Sequence, residues 1–188
     1  MVKNGRAVNR VALPLLLLAA AVPSGGCGSG GGAEPPRPGV SATLDADNRA
    51  VVHDELYACL RKALPGALLA SYLGGQASIS DAYNRASFDP RLAAPKAEAA
   101  LLDSGGAEYI GVRANRRTAA GRGLPEWDVL VLPSSPDAER AATAIAKEGA
   151  RATQDGIFVR VVKRPGRGDR ARTAEAALTR CLDRSRRP

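Results

Sequence analysis

The sequence predicts an α/β domain of the α+β kind, in which helices pack on a small mixed β-sheet and the first and last helices are joined by a disulfide. Three observations carry this. Apolar residues recur at helical spacing around Cys59 and again around Cys181. Glu108–Ala114 and Gly156–Val162 have the composition of strands, and Trp127–Leu132 is apolar on both faces. A capped helix lies between the last two of these strands.

Residues 45–64 form the first predicted helix, with Asp45 or Asp47 as N-cap and Pro65-Gly66 as the stop. Ala67–Leu73 reads either as a short strand or as another helical turn, ended by Gly74-Gly75. Pro90–Asp103 is rich in Ala and Leu and predicts a helix ended by Gly105-Gly106. In Glu108–Ala114, Ile110, Val112 and Ala114 alternate with Tyr109 and Arg113, which predicts a strand covered on one side. Asn115–Pro125 reads as a mobile polar loop, with Gly121-Arg122-Gly123 as an alternative anion-binding nest beside Arg116 and Arg117. Trp127–Leu132 predicts a central strand. Pro133-Ser134-Ser135-Pro136-Asp137 opens the following helix, with a serine cap and Pro136 in the first turn; its inward stripe is Ala138, Ala141, Ala142 and Ile145, and Gly149 ends it. The next strand is Gly156–Val162. Strand, helix and strand in so short a space predict a right-handed crossover between parallel strands. The order of elements resembles that of ferredoxin-like sandwiches, a likeness of architecture that implies no activity.

Of the three cysteines, Cys59 shares a helix face with Val52, Leu56, Leu60 and Ala63. Cys181 shares one with Ala174, Leu178 and Leu182. Both thiols therefore point inward, on the first and last helices, and outside the cytoplasm such a pair forms a lasting disulfide. The ends resemble small exported bacterial domains bracketed by a Cys-Leu-Arg-Lys helix and a final Cys-Leu helix.

The third cysteine is Cys27. Before it come Lys3, Arg6 and Arg10 with no acidic residue, the apolar run Val11–Val22, and Pro23-Ser24-Gly25-Gly26. The run is too short to span a bilayer, which needs about 20 residues. This layout resembles a bacterial lipoprotein precursor, with Ser24 in the position that is usually aliphatic. The resemblance implies that residues 1–26 are a removed signal peptide and that Cys27 carries lipid, diacylglycerol with palmitate-type chains. Cleavage near Ala19-Ala20-Ala21 and secretion without lipid is the alternative. Residues 27–44 then form a lipidated, flexible Gly/Pro-rich tether, residues 45–185 a single domain, and 186–188 a basic tail.

Without Lys3, Arg6 and Arg10, 24 basic residues face 19 acidic ones, a net charge of +5. From Arg160 onward ten basic residues face three acidic ones. Arg180, Arg184, Arg186 and Arg187 are candidate contacts with an anionic membrane surface. Export and scarce aromatics argue against a nucleic-acid partner.

Little in the chain points to catalysis. His53 is the only histidine, so a secreted or anchored hydrolase would have to use it, yet no Gly-x-Ser-x-Gly turn supplies a serine. One histidine and two paired thiols make no zinc set, and Asp45, Asp47, Asp54 and Glu55 lack the calcium-loop pattern. Neither metal nor cofactor is expected. Arg167-Gly168-Asp169 reads as a loop with Asp169 as a helix N-cap. The expected function is a non-enzymatic binding domain at the cell envelope, held to the membrane by lipid on Cys27 and engaging an envelope protein or ligand. The alternatives are a hydrolase using His53 and a purely structural envelope component.

Overall fold

The computed structural model describes residues 43–73, 76–79 and 94–186. The expected signal peptide, Cys27, the expected tether as far as residue 42, Pro90 and Arg187 lie outside the described residues. The described residues all belong to one compact unit.

Asp45 caps helix α1 (Ala46–Ala63), its carboxylate accepting from the Asn48 amide at 2.8 Å. The ambiguous Ala67–Leu73 segment is strand β1, followed by β2 (Gln76–Ile79). Helix α2 spans Lys96–Asp103. Its N-cap position is Pro95, which offers no side-chain acceptor, so Glu148 supplies one from afar. That carboxylate accepts from the Lys96 and Ala97 amides at 2.6 and 2.9 Å. Strands β3 (Glu108–Ala114) and β4 (Glu126–Val131) follow, then α3 (Ser135–Lys147), whose serine cap is Ser134, the first of the two serines before Pro136. The chain finishes with β5 (Arg151–Asp155), β6 (Phe158–Arg164) and α4 (Gly168–Ser185).

The described strands form one sheet in the order β2-β1-β3-β4-β6-β5, and every neighbouring pair is antiparallel. The fold class is therefore α+β as expected, but the sheet is not mixed. The crossover reading fails because α3 leads into β5, a short edge strand that lies between the helix and the next expected strand. Asp155-Gly156 then turns the chain back, with Gly156 at φ +62°, and β6 enters beside β4 in the opposite direction. β4 does occupy an interior position, between β3 and β6.

Helices cover both faces of the sheet, whereas a ferredoxin-like sandwich carries them on one. On the first face, Leu56 and Leu60 of α1, Leu64 at its C-cap, and Ala174, Leu178 and Leu182 of α4 pack on Ile110, Val112, Trp127, Val129 and Phe158. The Cys59–Cys181 disulfide joins these two helices, with Cα atoms 5.6 Å apart. On the second face, Leu102 of α2 and Ala138, Ala141 and Ile145 of α3 pack on Tyr109, Leu130, Val159 and Val161. Tyr109 and Arg113 consequently face a helical layer rather than solvent, which corrects the expectation of a strand covered on one side. No helix among the described residues is long and apolar enough to cross a membrane.

Candidate functional site

Two features of the molecule carry unusual charge: a buried network on the second face of the sheet and an open cavity at one end of it.

The network centres on Asp128 in β4, only 1% exposed. Strand pairing sets it opposite Gly111. A Cβ at position 111 would lie 2.5 Å from the Tyr109 hydroxyl, so glycine there lets the tyrosine ring lie along its own strand. Tyr109 Oη donates to Asp128 Oδ1 at 2.7 Å. Arg113 Nη2 donates to the same oxygen at 2.6 Å, while its Nη1 donates to the Trp127 carbonyl at 2.7 Å. Lys163 Nζ of β6 lies 3.0 Å from Asp128 Oδ2. Glu98 of α2 completes the group, with Oε2 3.9 Å from Lys163 Nζ.

Glu98 is 0% exposed and neither of its oxygens has a conventional hydrogen-bond partner. Burial, and then the neighbouring Asp128 carboxylate, push its pKa up to about 8. Protonated, it can donate to Asp128, a contact that two carboxylates cannot make. Burial also acts to raise Asp128, but the charges of Arg113 and Lys163 and the hydrogen bonds from Tyr109 and Arg113 outweigh it and hold that carboxyl below its ordinary value. Burial and the Asp128 charge raise the Tyr109 hydroxyl well above 10. Two carboxyls pushed apart in this way resemble an acid–base pair. With both of them out of solvent, the network instead pins α2 to the sheet.

His53 is placed against catalysis by its surroundings. It is 2% exposed, with Nε2 3.2 Å from the Tyr109 carbonyl and Nδ1 3.0 Å from Asp54 Oδ1. Both nitrogens are thus engaged, and the ring locks α1 to β3. Of the other acidic residues weighed for calcium, Asp45 is spent as the α1 cap.

The second feature is a cavity of about 630 Å³ where β3 ends, β6 ends and β4 begins. Arg116, Arg122, Arg164 and Arg167 line it together with Leu124 and Pro165. Arg116 pairs with Glu126 at 2.8 Å. Among the described residues no acidic partner meets Arg122, Arg164 or Arg167. No known family, curated protein or solved structure matches the chain. The cavity's chemistry therefore has to be read from its own walls.

Those walls are tightly built. A Cβ at Gly66 would sit 2.3 Å from the Ala120 carbonyl carbon, and one at Gly121 would sit 2.0 Å from the Asn115 oxygen. The 115–125 loop is therefore folded down on the turn after α1. Arg170 of α4 donates to the Ala119 carbonyl, and the Arg167 amide donates to Gly123 O at 2.9 Å. The expected backbone nest is not available at Gly121, because its N–H donates to Thr118 Oγ1 at 3.1 Å. Guanidinium groups, not amides, make this end basic. Arg167 also takes the N-cap position of α4, while Asp169 lies in the first turn and pairs with Arg172, so Asp169 is not the cap.

The C-terminal arginines divide. Arg180 and Arg184 are exposed on α4. Arg186 is held by Asp155 and Asp183 and lies 5.8 Å over the Phe158 ring.

Proposed function

We propose that this chain is a lipid-anchored, extracytoplasmic binding domain, non-enzymatic, that engages an anionic partner through the arginine cavity. The observation that carries the binding reading is the set of three arginines, Arg122, Arg164 and Arg167, around one cavity with no acidic partner among the described residues. Guanidinium groups gathered in one place repel one another, and a bound anion relieves that repulsion. The burial of His53 with both nitrogens engaged favours binding over hydrolysis.

The disulfide supports a location outside the cytoplasm, where such bonds persist. The polarity of the domain supports anchoring at the other end from the cavity. The Leu44 amide, one residue into the described chain, donates to the Pro133 carbonyl beyond the end of β4, whereas the cavity lies at the start of that strand. Ser185, the last residue of α4, and the exposed Val51 line a second cavity with Leu44, and Arg184 and Arg180 precede Ser185 in that helix by one residue and by little more than a turn. A lipid on Cys27 would then hold that end toward the bilayer, with Arg180 and Arg184 near anionic headgroups and the cavity directed away.

Two measurements test this. In a bacterial host, the full chain should fractionate with membranes and Cys27→Ser should not. An unchanged membrane fraction for Cys27→Ser would remove the anchor. The chain beginning at Gly28 should be retained on dextran sulfate at low salt. The Arg122→Ser/Arg164→Ser/Arg167→Ser variant should elute at clearly lower salt than the charge-matched Arg117→Ser/Arg180→Ser/Arg184→Ser variant. Equal elution of the two would show general basicity and overturn the binding reading.

A further inference from the structure

We infer that the arginine cavity takes a ligand bearing at least two phosphoryl groups, of the diphosphate type. This rests on the binding reading above and specifies its ligand.

Three properties of the cavity select that class. The first is charge. Three guanidiniums lack an acidic partner among the described residues, and a fourth, Arg116, shares Glu126. A lone carboxylate carries one charge and would leave most of this uncompensated. A phosphoryl group presents several acceptor oxygens and up to two charges, so it takes forked hydrogen bonds from more than one arginine at once. The second property is size. Water occupies roughly 30 Å³ of the liquid. A space of about 630 Å³ has room for several tetrahedral anion groups. The third is the remainder of the wall: Ala114, Leu124, Pro165 and two glycines. No aromatic residue is among them, so no surface stacks a nucleobase, and the phosphoryl portion of the ligand is the part recognised.

The cavity is also preorganised. Gly166 allows the turn after β6 to pass close to the 115–125 loop, since a Cβ there would lie 2.8 Å from Gly123 O. The bond from the Arg167 amide to Gly123 O closes the same junction. Arg122 and Arg167 thus project from two segments fixed to each other, which reduces the ordering that binding requires.

The test uses the chain beginning at Gly28, with inorganic pyrophosphate as the probe and titration calorimetry as the readout. At low salt pyrophosphate should bind, and added salt should weaken it. Arg122→Ser/Arg164→Ser/Arg167→Ser should weaken it by about 30-fold or more, while Arg117→Ser/Arg180→Ser/Arg184→Ser should stay within about threefold. Each replaced side chain is exposed, and an unchanged melting temperature would confirm that the variants fold. Tricarballylate, with three carboxylates, should bind at least about tenfold more weakly than pyrophosphate. Equal affinity for the two anions would overturn the phosphoryl assignment. So would an absence of pyrophosphate binding where dextran sulfate still discriminates the two variants; in that case the binding reading stands and only the ligand class is wrong. Failure of both experiments removes both. Phosphatidylcholine vesicles containing diacylglycerol diphosphate, presented to proteins that also carry Arg180→Ser/Arg184→Ser so that the exposed arginines of α4 do not contribute, identify the source of the phosphoryl groups. Vesicle binding lost in the cavity variant points to a lipid headgroup, and pyrophosphate binding without vesicle binding points to a soluble compound. Vesicle binding that survives in the cavity variant overturns the headgroup source.

Discussion

Cys59→Ser/Cys181→Ser should melt about 15 °C below the wild type. The bond spans 122 residues, and in the chain-entropy account closing a loop of that length stabilises by about 5 kcal/mol. A domain of this size shifts its Tm by roughly 3 °C per kcal/mol. The loss is large beside the ~5–15 kcal/mol that holds a typical domain. Its location sharpens the effect. The bond joins α1 to α4, which together roof the first face of the sheet, so without it both ends of the domain are freed from each other. Thermal melts by circular dichroism test this, with reduced wild type as the control. Reduction should lower the transition to within a few degrees of the double variant, which separates the cross-link from the burial of a serine hydroxyl at position 181. A double variant melting within about 3 °C of the wild type would show that helix packing alone holds the roof.

That bond was legible in the sequence because it depends on local information. Helical spacing put each thiol on an inward face, and two inward thiols on terminal helices of one domain have few other fates. The helix ends were legible for the same reason. Asp45 and Ser134 are followed at once by helical periodicity, and their caps form within three residues. β5 was not legible in this way. Arg-Ala-Thr-Gln-Asp has no apolar face because the strand lies at the edge of the sheet. The Asp155-Gly156 pair, a hairpin signal, was available and would have revealed it. Missing one strand reversed the direction of the next and turned an antiparallel sheet into an expected mixed one.

The charged sites were harder because their members come from distant parts of the chain. Asp128 stands inside Trp-Asp-Val-Leu-Val-Leu, a run otherwise apolar on both faces. A carboxylate in a central strand demands buried partners, and that demand was the available signal. Which partners meet it depends on register. Arg113 comes from β3, Lys163 from β6 and Glu98 from α2, and only the paired sheet brings them together. The arginine cavity was half legible. Arg116 and Arg122 stood out beside the Gly121–Gly123 turn, but Arg164 and Arg167 join them only because β6 ends next to that loop.

Replacing Glu98 by Gln should stabilise the wild type at pH 9 and destabilise the Asp128→Asn variant at the same pH. In the wild type, the folded pKa of Glu98, about 8, stands above its ordinary 4.5. Between those values the folded protein keeps a proton that the unfolded chain has released. The stability contributed by protonated Glu98 is therefore complete below about pH 4.5, declines as pH rises, and is gone once pH passes 8. The whole decline is on the order of 5 kcal/mol. The glutamine side chain of the Glu98→Gln variant has the shape of the protonated acid and can donate to Asp128 at any pH. That variant should therefore escape the decline and overtake the wild type above neutrality. Asp128 behaves oppositely: its depressed pKa means that its contribution is present at neutral pH and lost as pH falls through its folded value. Asp128→Asn removes the carboxylate that Arg113 and Lys163 share and should cost about 3–5 kcal/mol at pH 7. It also removes the negative charge that raises Glu98, while Lys163 and Arg113, which lower it, stay in place. Glu98 should then ionise nearer its ordinary range and become the remaining counter-charge for Lys163. Glu98→Gln in that background deletes the last carboxylate beside Lys163, and the sign of its effect reverses. Urea melts of the four proteins at pH 5 and pH 9 give the cycle directly. Equal stabilisation by Glu98→Gln at pH 9 with and without Asp128 would mean that the two carboxyls do not share these cations, and that burial alone sets the pKa of Glu98.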